Sequence, residues 1–297
     1  MQKTRVSIVR TPNRAEGVSR SVQLLQSDRI TGRGVLIKPN FNTADPAPGS
    51  THNDTLRQLI LELQAMGAKS VTIGERSYHL TEKVIREKGV DRLAAELGVE
   101  IINFDDLKPE DWVLVTPEYS HWQEGFRVAR PILEADCIVT TPCVKTHRHG
   151  GVITMSLKLS VGIVPIRGYP YMDELHSSPH QRKMIAELNQ AYDPALVVLD
   201  GVEAFVDGGP DRGEKKAGNV MVAGTDRVAV DAVGVAILKE LGSNPAIMDQ
   251  RIFDQEQIAR AAEIGIGIRS ADQIDIITGD PDSEEYAARL RKILAQG

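Results

Sequence analysis

The stretch at residues 134–165, EADCIVTTPCVKTHRHGGVITMSLKLSVGIVP, contains the pattern that decides the fold. It opens with CIVTT at residues 137–141, a short apolar run typical of a strand buried on both faces. A basic, histidine-rich segment follows at residues 145–149, and then the pair Gly150-Gly151 and a helical pattern that ends near Lys158. A strand, a cationic loop, two glycines and a helix N-terminus together predict a pocket for an anion.

Similar apolar runs recur at residues 34–38, 70–75 and 195–200, and helical patterns lie between them. This alternation predicts an α/β fold, in which a mainly parallel, doubly wound sheet carries helices on both faces. No change in composition marks a linker, so we expect a single domain over residues 1–297. Two closely packed halves, residues 1–128 and 129–297, are the alternative division.

The composition is that of a soluble globular protein, and it restricts the partners of the chain. Of the 297 residues, 41% are hydrophobic and 26% are charged, and the formal net charge is -6. Such an acidic chain is not expected to bind nucleic acid or an anionic membrane, because both need a basic face. The apolar runs are far shorter than a membrane span, and no signal segment opens the chain. We therefore expect a cytoplasmic protein.

Polar residues follow several predicted strands where those strands end. Lys38 closes one strand and is followed by Asn40, Glu75 closes the next, and Lys145 and Asp200 stand in the same position further along. Because the carboxyl ends of parallel strands meet at one edge of a sheet, these groups should converge there. Taken singly, Lys38 reads as a solvated strand end, and Asp200 as the first residue of an Asp-Gly turn.

The basic segment supplies the candidates for chemistry. His147 and His149 are the expected general acids or bases, since histidine titrates near neutral pH, and Asp200 or Glu75 would orient them. The anion is expected to bind Lys38, Asn40, Glu75, Lys145, Arg148, Gly150 and Gly151. Lys158 has two readings, a snorkelling surface lysine or a pocket lysine made reactive by a lowered pKa. Asp231 is expected to face solvent or a lysine.

Cofactors are restricted by the small number of soft ligands. The chain has two cysteines, and an iron–sulfur cluster normally needs four protein ligands, so we expect no cluster bound by this chain alone. A divalent metal remains an alternative, although the chain has no H-E-x-x-H motif. The candidate ligands are His147, His149, His180 and Asp200.

Several short motifs occur in a familiar order: Lys38-Pro39-Asn40, Lys145-Thr146-His147, Lys158 with a following glycine and proline, and Asp200-Gly201. As a set, they resemble a large prokaryotic family of domains of unknown function. Its members are often fused to ferredoxin-type iron–sulfur modules, which implies an iron–sulfur partner protein for a chain that lacks such a module.

A more distant similarity is to the N-terminal domain of nickel-pincer lactate racemases. In that family, a strand leads to a histidine, a glycine-rich segment and a lysine that anchors the cofactor covalently. The resemblance implies that Lys158 corresponds to this lysine, that His147 or His149 corresponds to the histidine, and that the chemistry is of the racemase or isomerase type.

Two hypotheses of function follow. The first is an enzyme that binds an anionic small molecule or cofactor at the strand ends and uses lysine and histidine for acid–base chemistry, with or without a metal. The second is a non-catalytic carrier, or a partner protein of an iron–sulfur or cofactor system. A homodimer is expected on general grounds.

Overall fold

A computed structural model describes residues 3–296 of the chain. Within this range thirteen strands form: β1 (Thr4–Arg10), β2 (Gly34–Pro39), β3 (Ser70–Glu75), β4 (Glu100–Asn103), β5 (Trp112–Val115), β6 (Phe126–Ala129), β7 (Cys137–Thr141), β8 (Cys143–His147), β9 (Val152–Ile153), β10 (Pro194–Gly208), β11 (Gly213–Ala217), β12 (Val220–Gly224) and β13 (Ile274–Ile277).

The same range contains twelve α-helices: α1 (Arg14–Leu25), α2 (Asn53–Ala65), α3 (Thr81–Lys88), α4 (Val90–Leu97), α5 (Arg130–Glu134), α6 (Ser156–Leu159), α7 (Tyr171–Ser177), α8 (Gln181–Glu187), α9 (Arg227–Leu241), α10 (Pro245–Met248), α11 (Glu256–Glu263) and α12 (Pro281–Gln296). Every helix of the described chain is either too short or too polar to cross a bilayer.

The central sheet has the strand order β13-β1-β12-β10-β7-β2-β3-β4. From β10 to β4 all neighbouring strands are parallel, whereas β12 runs antiparallel to both β1 and β10. This arrangement confirms the predicted α/β fold with a mainly parallel sheet. Strands from both sides of residue 128 share this sheet, and β1 lies between β12 and β13.

Helices cover both faces of the sheet because alternate side chains of each strand point to opposite sides. Along β10, Leu196 and Val198 pack in the same core as α1 and α2. Val197 and Leu199 pack in the opposite core, which α9 and α12 complete. On that opposite face, above β2 and β7, the β5–β6 hairpin, α7 and α8 form a third core. The strands are therefore buried on both sides, as their unbroken apolar sequences predict.

Pro142 separates β7 from β8, and β10 is long enough to pair with both of them. The first part of β10 lies parallel to β7, and residues Asp200 to Phe205 continue alongside β8. Residues 145–147 are therefore part of a strand, and the prediction of a loop at residues 145–149 is wrong for them. On a strand, side chains two residues apart share one side, so Cys143, Lys145 and His147 face the same way.

The prediction that Gly150-Gly151 opens a helix is also wrong. These glycines form the turn of a hairpin in which β8 pairs with β9, with Thr146 opposite Ile153. Gly150 has a φ of 82°, a left-handed conformation that glycine adopts at little cost. The next helix, α6, is only four residues long and begins at Ser156.

Candidate functional site

A cavity of about 70 Å³ lies beyond the carboxyl ends of β2 and β3, between β8 and the segment that contains α6. This is the edge of a parallel sheet where ligands collect in α/β folds. Its lining residues are Lys38, Asn40, Phe41, Asn42, Glu75, Arg76, Pro142, Lys145, His147, Thr154, Met155, Lys158, Leu159, Val161, Gly162 and Pro210. Four of the lining side chains are cationic, and a single lining side chain, that of Glu75, is a carboxylate.

Lys38 and Glu75 form a buried ion pair in the wall of the cavity. Lys38 Nζ lies 2.5 Å from Glu75 Oε1 and also donates to the carbonyl of Pro39 at 2.8 Å. The carboxylate accepts two backbone N–H groups, from Phe41 at 2.9 Å and from Arg76 at 2.7 Å. Burial lowers the pKa of Lys38 and raises that of Glu75, and the attraction between the two charges opposes both shifts. Lys38 is therefore not a solvated strand end.

Arg76 follows Glu75 and is buried in the same wall. Its guanidinium donates from Nε to the carbonyl of Val164 at 2.9 Å and from Nη2 to the carbonyl of Val161. Burial lowers the pKa of Arg76 to about 10, so the group stays charged at neutral pH. Because its side-chain partners are carbonyl groups, its positive charge is held in place without being neutralised by them.

Lys145 is held in a similar way. Its Nζ donates to the carbonyl of Gly49 at 2.6 Å and to that of Pro210 at 3.3 Å. Burial lowers its pKa to about 8, which is close to physiological pH. An ammonium group fixed by two carbonyls keeps one N–H free for a ligand.

Lys158 has no hydrogen-bond or ion-pair partner among residues 3–296, although it lines the cavity and is only partly exposed. Burial lowers its pKa to about 8, and the positive charges of Lys145 and Arg76 add to this effect. Of its two readings, the pocket lysine fits the structure and the solvated surface lysine does not. Its α6 backbone is anchored by Asp231, whose carboxylate accepts the N–H groups of Ser156 and Leu157, each at 2.8 Å.

The expectation that Asp231 faces solvent or a lysine is therefore wrong. It is completely buried on α9, and burial raises its pKa to about 7. A carboxylate at the start of a helix satisfies backbone N–H groups that have no partner within the helix. Asp231 thus fixes the position of Lys158 from the opposite side of the core.

His147 lies in the cavity wall and is 8% exposed. Burial, followed by the charge of Lys158, moves its pKa far below the ordinary value, so the ring is neutral. Its Nδ1 accepts the backbone N–H of Gly151 at 3.3 Å, which places the ring proton on Nε2. In this state His147 can donate a hydrogen bond to an anion, whereas the role of a base at neutral pH does not suit it.

Two glycines allow the cationic groups to approach the backbone closely. A Cβ atom on Gly151 would lie 2.9 Å from His147 Nδ1 and 3.1 Å from Lys158 Cε. A Cβ atom on Gly162 would lie 2.7 Å from Lys38 Nζ. Any larger residue at either position would displace a cavity side chain.

Asp200 is not part of this cavity, despite its position at the predicted strand end. Its carboxylate accepts hydrogen bonds from Arg14 Nε at 2.9 Å, from Thr55 Oγ1 at 2.7 Å and from the backbone of Val202 at 3.0 Å. It therefore ties α1 and α2 to β10, and it neither orients His147 nor faces the ligand space. The expected convergence of strand ends holds for Lys38, Glu75, Lys145 and His147.

The other predicted residues of the basic segment lie outside the cavity lining. Arg148 pairs with Asp211 at 2.8 Å and donates to the carbonyl of Gly209, so it fastens the loop after β10. His149 is exposed at the hairpin turn and contacts the ring of His147, with centroids 5.7 Å apart. Gly150 shapes the turn, whereas Gly151 lies against His147 and Lys158.

His180 is exposed and packs against His121, with ring centroids 4.3 Å apart. Within residues 3–296 no three His, Cys, Asp or Glu side chains come together in a way that could hold a metal ion. The four candidate metal ligands, His147, His149, His180 and Asp200, thus do not form a shared site.

Sequence reasoning missed two parts of the site, Arg76 and Gly162. Arg76 directly follows the strand that Glu75 closes, but it is not among the predicted site residues. The signal was present, since β2 and β3 both end in or beside a charged residue that lines the cavity, and Arg76 is the next residue after Glu75. Gly162 is the glycine that follows Lys158 in the motif set, but its close approach to Lys38 could not be predicted, because Lys38 is distant in sequence.

A larger groove of about 700 Å³ lies beside the edge strand β13. It is lined by charges of both signs, among them Arg251, Arg269, Asp272 and Asp275. Opposite charges at similar density give no preference for one class of ligand. The smaller cavity is the better candidate because its charge has one dominant sign.

Three known proteins are similar to this chain. The chain is 24% identical over 213 residues to the thylakoid-associated protein sll1697 of Synechocystis, a match that covers 70% of this chain and 64% of that relative. The structure of the lactate racemase apoprotein from Thermoanaerobacterium thermosaccharolyticum has a TM-score of 0.48 and 14% identity, covering 98% of this chain and 86% of the other. The structure of a Thermotoga maritima protein has a TM-score of 0.48 and 12% identity, and the match covers 86% of this chain and 60% of the other.

The family assignment itself comes from a sequence profile. The profile described as Domain of unknown function (DUF362) matches residues 35–236, which is more than half of the chain. The matched region begins in β2 and ends in α9, so it includes every residue that lines the cavity and also Asp231. This chain therefore belongs to the DUF362 family of domains of unknown function.

Proposed function

We propose that the protein is an enzyme that binds an anionic small molecule in the cavity at the strand ends. One observation supports this proposal above all others: Lys38, Arg76, Lys145 and Lys158 surround the cavity, and Glu75 is the only carboxylate of the described chain that lines it. Lys38 is paired with Glu75, whereas Arg76, Lys145 and Lys158 have no ion-pair partner among the described residues. Buried cations of this kind are costly, and an anionic ligand relieves that cost.

The hydrogen-bond donors left free in the cavity match such a ligand. Lys38 and Lys145 each use two of their three N–H groups on protein oxygens, whereas Lys158 uses none among the described residues. Nη1 of Arg76 and Nε2–H of His147 are additional donors. Carboxylate, phosphate and sulfate oxygens accept several such bonds at once.

The size of the cavity limits what it holds. A water molecule needs about 10–15 Å³ of cavity volume, so a cavity of about 70 Å³ accommodates a few non-hydrogen atoms. An anionic group of the size of a carboxylate or a phosphate is consistent with this volume.

Lys145 and Lys158 are the groups suited to acid–base chemistry, because burial lowers the pKa of each to about 8. A general base works best when its pKa is near the working pH. Lys158, which has no partner among residues 3–296, would take a proton from the ligand, and the other cations would stabilise the negative charge that develops. This reaction class is proton transfer next to an anionic group, as in an isomerase.

Binding is tested with a panel of sulfate, phosphate and small carboxylates at constant ionic strength. A bound anion should raise the apparent melting temperature of the wild-type protein. Lys158→Met should abolish the rise, whereas Lys83→Met, which removes an exposed charge on α3, should leave it unchanged. Equal responses of both variants would reject the cavity as the binding site.

We propose as a second candidate a non-catalytic carrier, which the family resemblance links to an iron–sulfur partner protein. A neutral His147 that donates a hydrogen bond to the ligand is consistent with this role. The two functions differ in proton exchange. The anions that bind are incubated with the protein in D2O and then examined by NMR. If the protein is an enzyme, deuterium should enter a C–H position of at least one of them. A carrier would return each bound ligand without deuterium.

A further inference from the structure

A second cleft, of about 270 Å³, lies next to the cationic cavity. Its walls come from the segment after β4, from β5 and from the irregular segment at residues 165–169. Its apolar and aromatic lining includes Leu107, Trp112, Ile166 and Tyr169. Leu107, Ile166 and Tyr169 are only partly buried, so they offer surface to a molecule in the cleft.

Arg76 lines both the cavity and the cleft. Its guanidinium is held by the carbonyls of Val161 and Val164. Val161 lines the cavity, and Pro165 and Ile166, which directly follow Val164, line the cleft. The two spaces thus adjoin at Arg76, and a ligand that contacts Arg76 from the cavity lies beside the cleft.

The charges of the cleft differ from those of the cavity. At the cleft, Arg167 is paired with Asp105 at 2.7 Å, so its charge is balanced. Tyr169 stacks on Tyr171 with ring centroids 5.5 Å apart, and Arg127 lies 5.7 Å from the centre of the Tyr169 ring. These contacts hold the tyrosine ring in a defined position. Tyr169 is still partly exposed, so its ring offers apolar surface to a molecule in the cleft.

The volumes of the two spaces also favour a ligand that extends from the cavity into the cleft. Sites for small organic molecules usually measure about 300–1,000 Å³, and the cavity alone is far below that range. The cleft provides the missing room, and it does so with aromatic surface.

We propose that the ligand has two parts: an anionic head group that binds in the cavity, and an uncharged aromatic or flat apolar body that occupies the cleft. This inference rests on the proposed function, since it requires the head group to bind beside Arg76. It adds a substrate class, that of aromatic or flat apolar carboxylates and phosphate esters.

Two matched pairs of probes test the inference: phosphate with phenyl phosphate, and acetate with phenylacetate. Affinities are measured by calorimetry on the full chain. In at least one pair, the phenyl compound should bind at least tenfold more tightly than its head group, a gain of about 1.4 kcal/mol. It should also change the fluorescence of Trp112, and Trp112→Phe should remove that change. The other tryptophan, Trp122, is buried and does not line the cleft.

Tyr169→Ala should reduce the advantage of the phenyl compound at least threefold and leave the affinity of the head group unchanged. Tyr119→Ala, at a tyrosine that is 69% exposed and outside both spaces, is the matched control and should change neither affinity. If head groups bind but phenyl compounds gain nothing, or keep their full gain in Tyr169→Ala, this inference is wrong and the proposed function stands. If none of the four probes binds, both are wrong.

Discussion

Replacing Lys38 with methionine removes the ammonium group that lies 2.5 Å from Glu75 Oε1 and keeps a side chain of similar length. The two side chains are 2% and 1% exposed, so water cannot take the place of the lost charge. Lys38→Met therefore leaves a carboxylate buried without its counter-ion.

The expected loss of stability follows from this geometry. Removing one partner of a buried ion pair typically costs about 3–5 kcal/mol. Glu75 retains the N–H groups of Phe41 and Arg76, so we expect the lower end of that range, about 3 kcal/mol in the free energy of unfolding at pH 7. Glu75→Gln in the same chain removes the unpaired charge and should restore at least half of the loss.

The loss should also depend on pH. Burial already raises the pKa of Glu75, and without Lys38 the main opposing effect disappears. The folded variant then binds a proton at a higher pH than the unfolded chain does, so its stability is greatest at low pH and falls as the pH rises through the folded pKa. The difference between Lys38→Met and the wild type should shrink as the pH is lowered towards the ordinary pKa of glutamate.

Urea unfolding at a series of pH values from 5 to 8 measures both effects for the wild type, Lys38→Met and the double variant with Glu75→Gln. A loss below about 1 kcal/mol at pH 7 would contradict the account of the buried pair. A loss that grows towards acidic pH would do the same, because it would mean that the carboxylate is not the destabilising group.

Three further predictions concern the other cavity groups and Asp231 behind them. The affinity for sulfate, measured by calorimetry, should fall as the pH rises above 8, because Lys145 and Lys158 then lose their charges; a constant affinity would show that these lysines do not bind the anion. In the wild type, the raised pKa of Asp231 in the folded state should lower the free energy of unfolding by up to ~4 kcal/mol as the pH rises from 4 to 7. Asp231→Asn should therefore flatten this pH dependence in urea unfolding, and an unchanged slope would refute the argument. Gly151→Ala should weaken sulfate binding roughly tenfold by displacing His147 or Lys158, and should cost about 1–3 kcal/mol of stability; unaltered affinity would contradict it.

The strands that form the parallel sheet were predictable because their burial on both faces requires unbroken apolar runs, as in β2, β7 and β10. The cavity residues at the ends of two parallel strands, Lys38 in β2 and Glu75 in β3, could be located for the same reason. In both cases a local sequence pattern is enough, since the carboxyl ends of parallel strands necessarily meet at one edge.

The sequence could not reveal which polar groups already have partners. Asp200 looks available until the fold brings Arg14, distant in sequence, to its carboxylate. Residues 145–147 look like the start of a cationic loop because Pro142 interrupts the apolar run before them, yet the length of β10 provides a partner for a new strand. Lys145 and His147 remained identifiable because their chemistry is unusual wherever they are placed.

The contact between Asp231 and α6 means that the position of the Lys158 amine depends on a part of the chain that lies outside the cavity lining. A truncated protein that ended before Arg227 would retain every cavity-lining residue and would lack the carboxylate that anchors the backbone of Lys158. Transplanting the lining residues to another scaffold would fail for the same reason, unless a buried acid came with them. The smallest unit able to form this site therefore extends into α9.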